Sequence, residues 1–378
     1  MNIQILKIFV LLFGLSIGHS FALEVEVSQS IPVETTLKVP GIRETQEVWL
    51  ELISSAQKTI DIEQFYINNQ SGQSLGPVMS ALVLAATRGV QIRLIVDRKF
   101  FQNYPEVPNQ FSKLKNMQVK IVDFSKMGGV QHAKFFIVDG MNSFIGSANF
   151  DWLALSHIHE VGLRVSDMAI ANGLESIFNQ DWAIAASLGG STSSFVRELD
   201  SVPSKTGTSV IRMIASPAAA LPVGVAPSID GMISLIAAAK TALKIQVYQY
   251  STKGNWTILD QELRKAATRG VQVKLMVDAV ALKNSTTELT ALSQVKNIQV
   301  KVVTIPKWSG GEIPYSRLVH SKYFTVDGNY AWVGTENWSE GYFTSCRNVG
   351  IILQNTVVAG QLDQIYDRLW TSTYSRAL

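Results

Sequence analysis

An imidazole and an ammonium group two residues apart open two stretches of this chain, His132 and Lys134 in HAKFFIVDG (132–140) and His320 and Lys322 in HSKYFTVDG (320–328). In an extended strand residues i and i+2 share a face, so each pair is presented together while Ala133 or Ser321 points the other way. Both copies continue alike, with Asp at +7, Gly at +14, a hydroxyl at +15 and Asn at +17 from the histidine. A lone histidine is more often structural than catalytic, but two complete copies of one pattern are not explained that way. Meeting at an interface between the copies, they unite two imidazoles, two ammonium groups, the hydroxyls of Ser147 and Thr335, and the amides of Asn149 and Asn337. Such a set is a list of donors for a doubly bonded phosphate anion.

The elements that must position these groups are also written twice. AATRGVQIRLIVD at 85–97 returns as AATRGVQVKLMVD at 266–278, displaced by 181 residues, whereas IGSAN at 145–149 returns as VGTEN at 333–337, displaced by 188. The second half has therefore gained seven residues just before its motif, in PKWSGGEIPYSR (306–317). Apolar spacing predicts a helix over 46–58, a strand over 59–67, and a helix over 77–88 closed by Gly89. Strands follow at 90–96 and 117–122, then the motif strands with FFIV and YFTV as interior, and another at 160–165. Asp139-Gly140 and Asp327-Gly328 read as hairpin turns, which suits these aspartates better than acid or base work. Leu174, Ile177, Phe178 and Trp182 recur at core-facing helical spacing, as do Leu362, Ile365, Tyr366 and Trp370. The pattern predicts an α/β protein of two similar α/β/α sandwich halves, each a mixed sheet flanked by helices and related by pseudo-twofold symmetry. Gly, Ser and Pro interrupt it between the halves, placing them at 23–190 and 209–378 with a linker at 191–208.

Composition limits the partners. A chain of 378 residues that is 47% hydrophobic buries a large core, and a formal charge of +3 gives no global attraction to polyanions. Residues 1–22 read as an export signal, with Lys7, the apolar run IFVLLFGLSIG and small residues Ser20 and Ala22 at the cleavage site. The expected location is secreted or periplasmic, without a transmembrane segment after cleavage; the alternative is an uncleaved N-terminal anchor. Cys346 has no partner cysteine and reads as an apolar filler. His157, His159 and Cys346 could suggest zinc, but a fourth ligand is missing and we assign no metal. Sequons begin at Asn69, Asn255, Asn284 and Asn337 and carry little weight, since Asn337 belongs to the motif.

The pattern H-x-K-x4-D followed by G-[ST]-x-N resembles the phospholipase D superfamily, and the resemblance runs from about residue 40 to the C-terminus. IPYSRLVHSKY, VGTENWSEGYFT, GSANFDW and LWTSTYS are similar to the branch of endolysosomal 5′-exonucleases and poxviral envelope proteins, although that branch is richer in cysteine. The resemblance implies the phospholipase D fold and a phosphohistidine mechanism. Lys134, Lys322, Asn149 and Asn337 would hold the non-bridging oxygens, and the lysines supply the charge that a metal would bring, so no cofactor is required. Glu160 matches the family's acidic partner of a motif histidine, while the corresponding second-half residue is Asn348. On that asymmetry His132 is expected to be the nucleophile and His320 the general acid.

Which phosphodiester is bound must come from the loops. Trp308, Tyr315 and Arg317 in the gained segment could stack bases and hold a phosphate, or could simply pack the loop. Phe65, Tyr66, Tyr248 and Tyr250 could add walls or belong to the core. The branch resemblance favours an exported 5′-exonuclease on single-stranded DNA or RNA. The alternatives are a phospholipase D that hydrolyses or transfers phosphatidyl groups, and a non-catalytic envelope or membrane-binding protein. No obligatory protein partner is implied.

Overall fold

The structure is a computed structural model and describes residues 24–188 and 210–378. The leader expected at 1–22 and the linker expected at 191–208 lie outside the described residues. The alternating helices and strands form two mixed nine-stranded sheets of matching strand order. In the first, Thr59–Gln64, Gln91–Asp97 and Met117–Val122 are parallel neighbours. On the other side of Thr59–Gln64 an antiparallel run passes through Phe135–Val138, Asn142–Gly146 and Glu160–Ser166 to Glu24–Ser30. The second sheet repeats the parallel set as Ala242–Val247, Gln272–Asp278 and Ile298–Val303. It repeats the antiparallel run as Tyr323–Val326, Tyr330–Gly334, Asn348–Gln354 and Val210–Ser216. Two-sided burial explains why these strands read as apolar runs.

Helices Thr45–Ser55 and Gly76–Thr87 cover the outer face of the first sheet, and Ser228–Ala237 and Ile258–Thr268 that of the second. The inner faces meet in one shared core with helices Met168–Ile184 and Thr356–Trp370, where Val161 and Leu163 join Val349 and Ile351. The helical core positions are buried as their spacing predicts, except Trp182, which is half-buried and stacks on Phe178 at 5.5 Å. Among the described residues no helix is long and apolar enough to cross a membrane.

The first helix stops at Ser55, short of the expected 58, and Asp139 is the reason. Its carboxylate accepts the backbone N–H groups of Gln57, Lys58 and Thr59 at 2.9, 2.7 and 2.9 Å, which pulls the chain out of the helix and into the central strand. Asp327 does the same for Lys240, Thr241 and Ala242. These aspartates therefore tie each hairpin to its neighbouring strand, as well as forming the turn. Asp139→Ala should destabilise the protein by about 2–4 kcal/mol, because three amides lose a charged acceptor at once; a denaturant midpoint equal to wild type would contradict this.

The motif glycines allow close strand contact. Gly146 pairs with Gly162 across strands, and a Cβ on Gly162 would sit 2.2 Å from the Phe144 ring. In the second half the Trp332 ring lies over Gly334 and Gly350, 2.5 Å from where either Cβ would be.

Candidate active site

Each motif docks on the other half. His132 and Lys134 precede the strand Phe135–Val138 instead of lying within it, because Gln131 pairs with Arg347 of the second half. The His132 N–H donates to the Arg347 carbonyl at 2.8 Å, and the Arg347 N–H to the Val130 carbonyl at 3.0 Å. Symmetrically, His159 N–H donates to Leu318 O at 2.8 Å and His320 N–H to His159 O at 2.9 Å. Arg347 is completely buried at the seam, bidentate to Asp181 of the first half at 2.7 and 2.8 Å. Breaking such a buried pair by removing one partner is costly, so the seam is firmly registered.

This cross-docking exchanges the partners of the two imidazoles. Glu160, expected to mark the first-half histidine, bonds instead to His320, with Oε1 at 2.9 Å from Nδ1. Asn348 Oδ1 lies 2.9 Å from His132 Nδ1. The Asn348 amide also accepts from Thr335 Oγ1 at 2.9 Å and donates to the Tyr342 carbonyl at 2.8 Å, which fixes its oxygen toward the ring. His132 therefore carries its hydrogen on Nδ1 and turns Nε2 away from Asn348.

Both histidines, Asn149 and Asn337 line one cleft of about 990 Å³. Lys134 and Lys322 are 1% exposed, and each folds its ammonium onto the carbonyl of its own motif histidine. Asn149 Oδ1 and Asn337 Oδ1 are buried without a hydrogen-bond partner, so each amide can turn its NH₂ edge toward an anion.

Burial governs the electrostatics. It lowers His320 to about 4 despite Glu160, and Lys322 to about 7. It pulls His132 well below the usual histidine range, with Lys134 and Lys322 adding repulsion, and Lys134 far below the usual lysine range. Burial would push Glu160 up, but His320 and Lys322 hold it below the usual carboxylate range. The site is short of negative charge, and a phosphodiester anion between the imidazoles would favour the charged forms of the histidines and lysines.

Four residues expected to contact substrate, Ser147, Thr335, Trp308 and Arg317, make contacts within the protein. The Ser147 hydroxyl donates to Val161 O at 3.2 Å and accepts from Val161 N–H at 3.1 Å, and Thr335 donates to Asn348, so both hydroxyls tie neighbouring strands. Within the gained segment, Trp308 packs against His157 at 5.2 Å, and Arg317 donates to the carbonyls of Pro306 and Val33 at 2.6 and 2.8 Å. Both brace the loop; Tyr315, 83% exposed, does reach the cleft. His157 lies between Trp152 and Trp308, while His159 Nδ1 is 3.1 Å from Ser321 Oγ, so the H-x-H pair does not converge. Phe65, Tyr66 and Tyr248 line the cleft, whereas Tyr250 is buried and bonds to Asp260.

Sequence reasoning missed Phe100, Tyr104, Asp151 and Tyr342, all of which line the cleft. Asp151 accepts from Tyr66 Oη at 2.9 Å and Asn68 Nδ2 at 3.1 Å, and Asn149 Nδ2 donates to Tyr66 Oη at 3.3 Å, so Asp151 braces a motif amide through Tyr66. Its place two residues after Asn149 was the one available signal. Glu336, where the first motif has Ala148, is also buried; burial raises it to about 7 and Ser228 Oγ donates to it at 2.5 Å.

A family model described as cardiolipin synthase, PLD-like domain, matches residues 49–182 and 232–370, once in each half. The chain belongs to the phospholipase D superfamily. Phospholipase D Z of Dictyostelium discoideum is 29% identical, over 93% of this chain and 90% of its own. The 5′-3′ exonuclease PLD3 of Macaca fascicularis is 30% identical, over 89% of this chain and 77% of its own. The crystal structure of phosphatidylserine synthase from Haemophilus influenzae Rd KW20 shares the fold with a TM-score of 0.66 at 12% identity, covering 88% of this chain and 85% of that one. As a phospholipase D superfamily phosphodiesterase, the protein has its two motifs on one cleft.

Proposed function

We propose that the protein is an exported nuclease that removes nucleotides from the 5′ end of single-stranded DNA or RNA through a phosphohistidine on His320. Aromatic rings beside His132 carry the nucleic-acid reading: Phe65, Tyr66, Phe100 and Tyr104 line the cleft and offer stacking surface to bases of any sequence. The resemblance to 5′-3′ exonucleases supports it.

The two Nδ1 partners support the division of labour. An imidazole that attacks phosphorus keeps its positive charge throughout the covalent intermediate, and a carboxylate on Nδ1 stabilises that charge; His320 has one. An acid must release its proton readily, and neutral Asn348 leaves His132 without a counter-charge. His320 Nε2 forms the N–P bond as the P–O bond breaks with its electron pair on the leaving oxygen, which takes the His132 Nε2 proton. Water then attacks phosphorus, giving a proton to His132, and the N–P pair returns to His320. Lys134, Lys322, Asn149 and Asn337 hold the non-bridging oxygens, with no metal needed for that role.

Incubation of the enzyme in chelator with a 5′-labelled oligonucleotide and with phosphatidylcholine liposomes tests the substrate. Labelled nucleotide should be released while lipid stays intact; lipid turnover beside an untouched oligonucleotide overturns the nuclease reading. That second outcome has a physical basis, since Trp152, Leu153, Ile158, Ile313, Pro314 and Leu318 give the cleft an apolar wall. Export rests on the leader at 1–22, and an exported form whose N-terminal sequence starts elsewhere than near Leu23 would contradict the cleavage site.

The pH dependence follows from the sign of the shifts. Groups lowered by burial lose their proton as pH rises through the lowered value, which for Lys322 is about 7 and for His132 well below the usual histidine range. The kcat/KM profile should therefore peak on the acid side of neutrality and fall above it, while the alkaline limb of kcat lies higher because bound phosphate raises both groups. A kcat/KM level through neutrality into alkaline solution would rule this out.

A further inference from the structure

Four aromatic rings extend from one histidine and are not repeated beside the other. Phe65 lies 4.9 Å from the His132 ring and 3.9 Å from Phe100. Tyr66 is nearly parallel to Phe100 at 5.6 Å and to Tyr104 at 4.8 Å. In the second half Tyr248 replaces Phe65, 5.1 Å from His320. At the displacement of 181, however, Ala281 and Ser285 stand where Phe100 and Tyr104 stand in the first half, so the row ends there.

The ladder is joined to the reacting centre by hydrogen bonds. Asp97 Oδ1 accepts the N–H of Phe100 at 3.1 Å, while its Oδ2 accepts the N–H of Gln131, the residue before His132, at 2.8 Å. Tyr66 is fixed by Asp151 and touches the Asn149 amide. A pre-ordered ring surface binds a flat partner with little loss of side-chain freedom.

In a two-step transfer the sides of the cleft hold different parts of the substrate. The alcohol that receives the His132 proton departs on the His132 side, and the phosphoryl group with its remaining ester stays on His320. We propose that Phe65, Phe100, Tyr66 and Tyr104 form the leaving-group subsite, selecting an alcohol that carries a planar ring such as a nucleoside, and acting in the first step alone. This rests on the histidine roles and the nucleic-acid reading under Proposed function. When water attacks the phosphohistidine the alcohol has gone, so the ladder has nothing left to bind. One stacked ring changes the first step about tenfold.

The test uses two diesters that leave the same thymidylyl group on the enzyme, one expelling thymidine and the other methanol, followed by rapid quench. Wild type should release thymidine faster than methanol. Phe100→Ala and Tyr104→Ala should each shrink that ratio about tenfold, Tyr104→Phe should preserve it, and the rate of phosphoenzyme breakdown should match wild type. Equal slowing of both diesters, or slower phosphoenzyme breakdown, overturns the assignment, because a structural role or contact with the retained group gives those results. Wild-type cleavage of both diesters at ratios that the variants leave unchanged overturns the subsite alone. Wild-type failure on both diesters overturns the subsite and the nuclease reading together.

Discussion

Acid-labile phosphoryl label should be found on His320 when the enzyme is quenched during turnover of a labelled diester. His320→Ala should then be inactive on every diester, losing about 10⁵-fold or more, as expected when a nucleophile is removed. His132→Ala should behave differently. Loss of a general acid costs about 10²- to 10⁴-fold for an alcohol leaving group, and much less for p-nitrophenolate, which departs without a proton. The two variants thus separate on a p-nitrophenyl ester: His132→Ala retains a fast burst and His320→Ala gives none. The opposite split, with label on His132, would restore the roles expected from the sequence and would mean that the Glu160–His320 contact at 2.9 Å does not mark the nucleophile.

The motifs were legible because the chain repeats them, and repetition identified His132, Lys134, Asn149 and their second-half counterparts without any distance. The two-sheet architecture was legible for a related reason, since strands buried on both faces leave apolar runs such as VQIRLIV and VQVKLMV. The exchange of Glu160 and Asn348 was not. Spacing along the chain relates residues within one half, whereas these contacts arise because His159 pairs with Val319 and Gln131 with Arg347 across the seam. A polar residue near a motif also reads alike whether it faces the cleft or the backbone. Ser147 and Thr335 turned inward for that reason, and Asn149 and Asn337, two positions on, turned outward. Phe100 falls in a single helical turn, Arg98–Phe101, and Tyr104 just after it, where the stretch is too short for periodicity to carry information and only the fold brings them to Phe65.

Replacing Glu160 with Gln should reduce phosphoenzyme formation by about 10³- to 10⁴-fold, the scale at which losing the carboxylate disables a histidine in a serine-hydrolase triad. Gln preserves an oxygen acceptor for His320 Nδ1, so orientation alone predicts a small loss and charge predicts a large one. The charge matters twice, because Glu160 faces His320 at 2.9 Å and also favours the charged form of Lys322. Asn348→Asp supplies the converse. A carboxylate on His132 raises its pKa, so its proton persists to higher pH; the alkaline limb of kcat/KM should move upward while transfer to the leaving alcohol slows, because His132 becomes a weaker acid. Combining Glu160→Gln with Asn348→Asp then transfers the carboxylate from one imidazole to the other, and the phosphoryl label should follow it from His320 to His132. Label that stays on His320 in the double variant, at the rate of Glu160→Gln alone, would show that geometry and not the Nδ1 partner decides which histidine attacks.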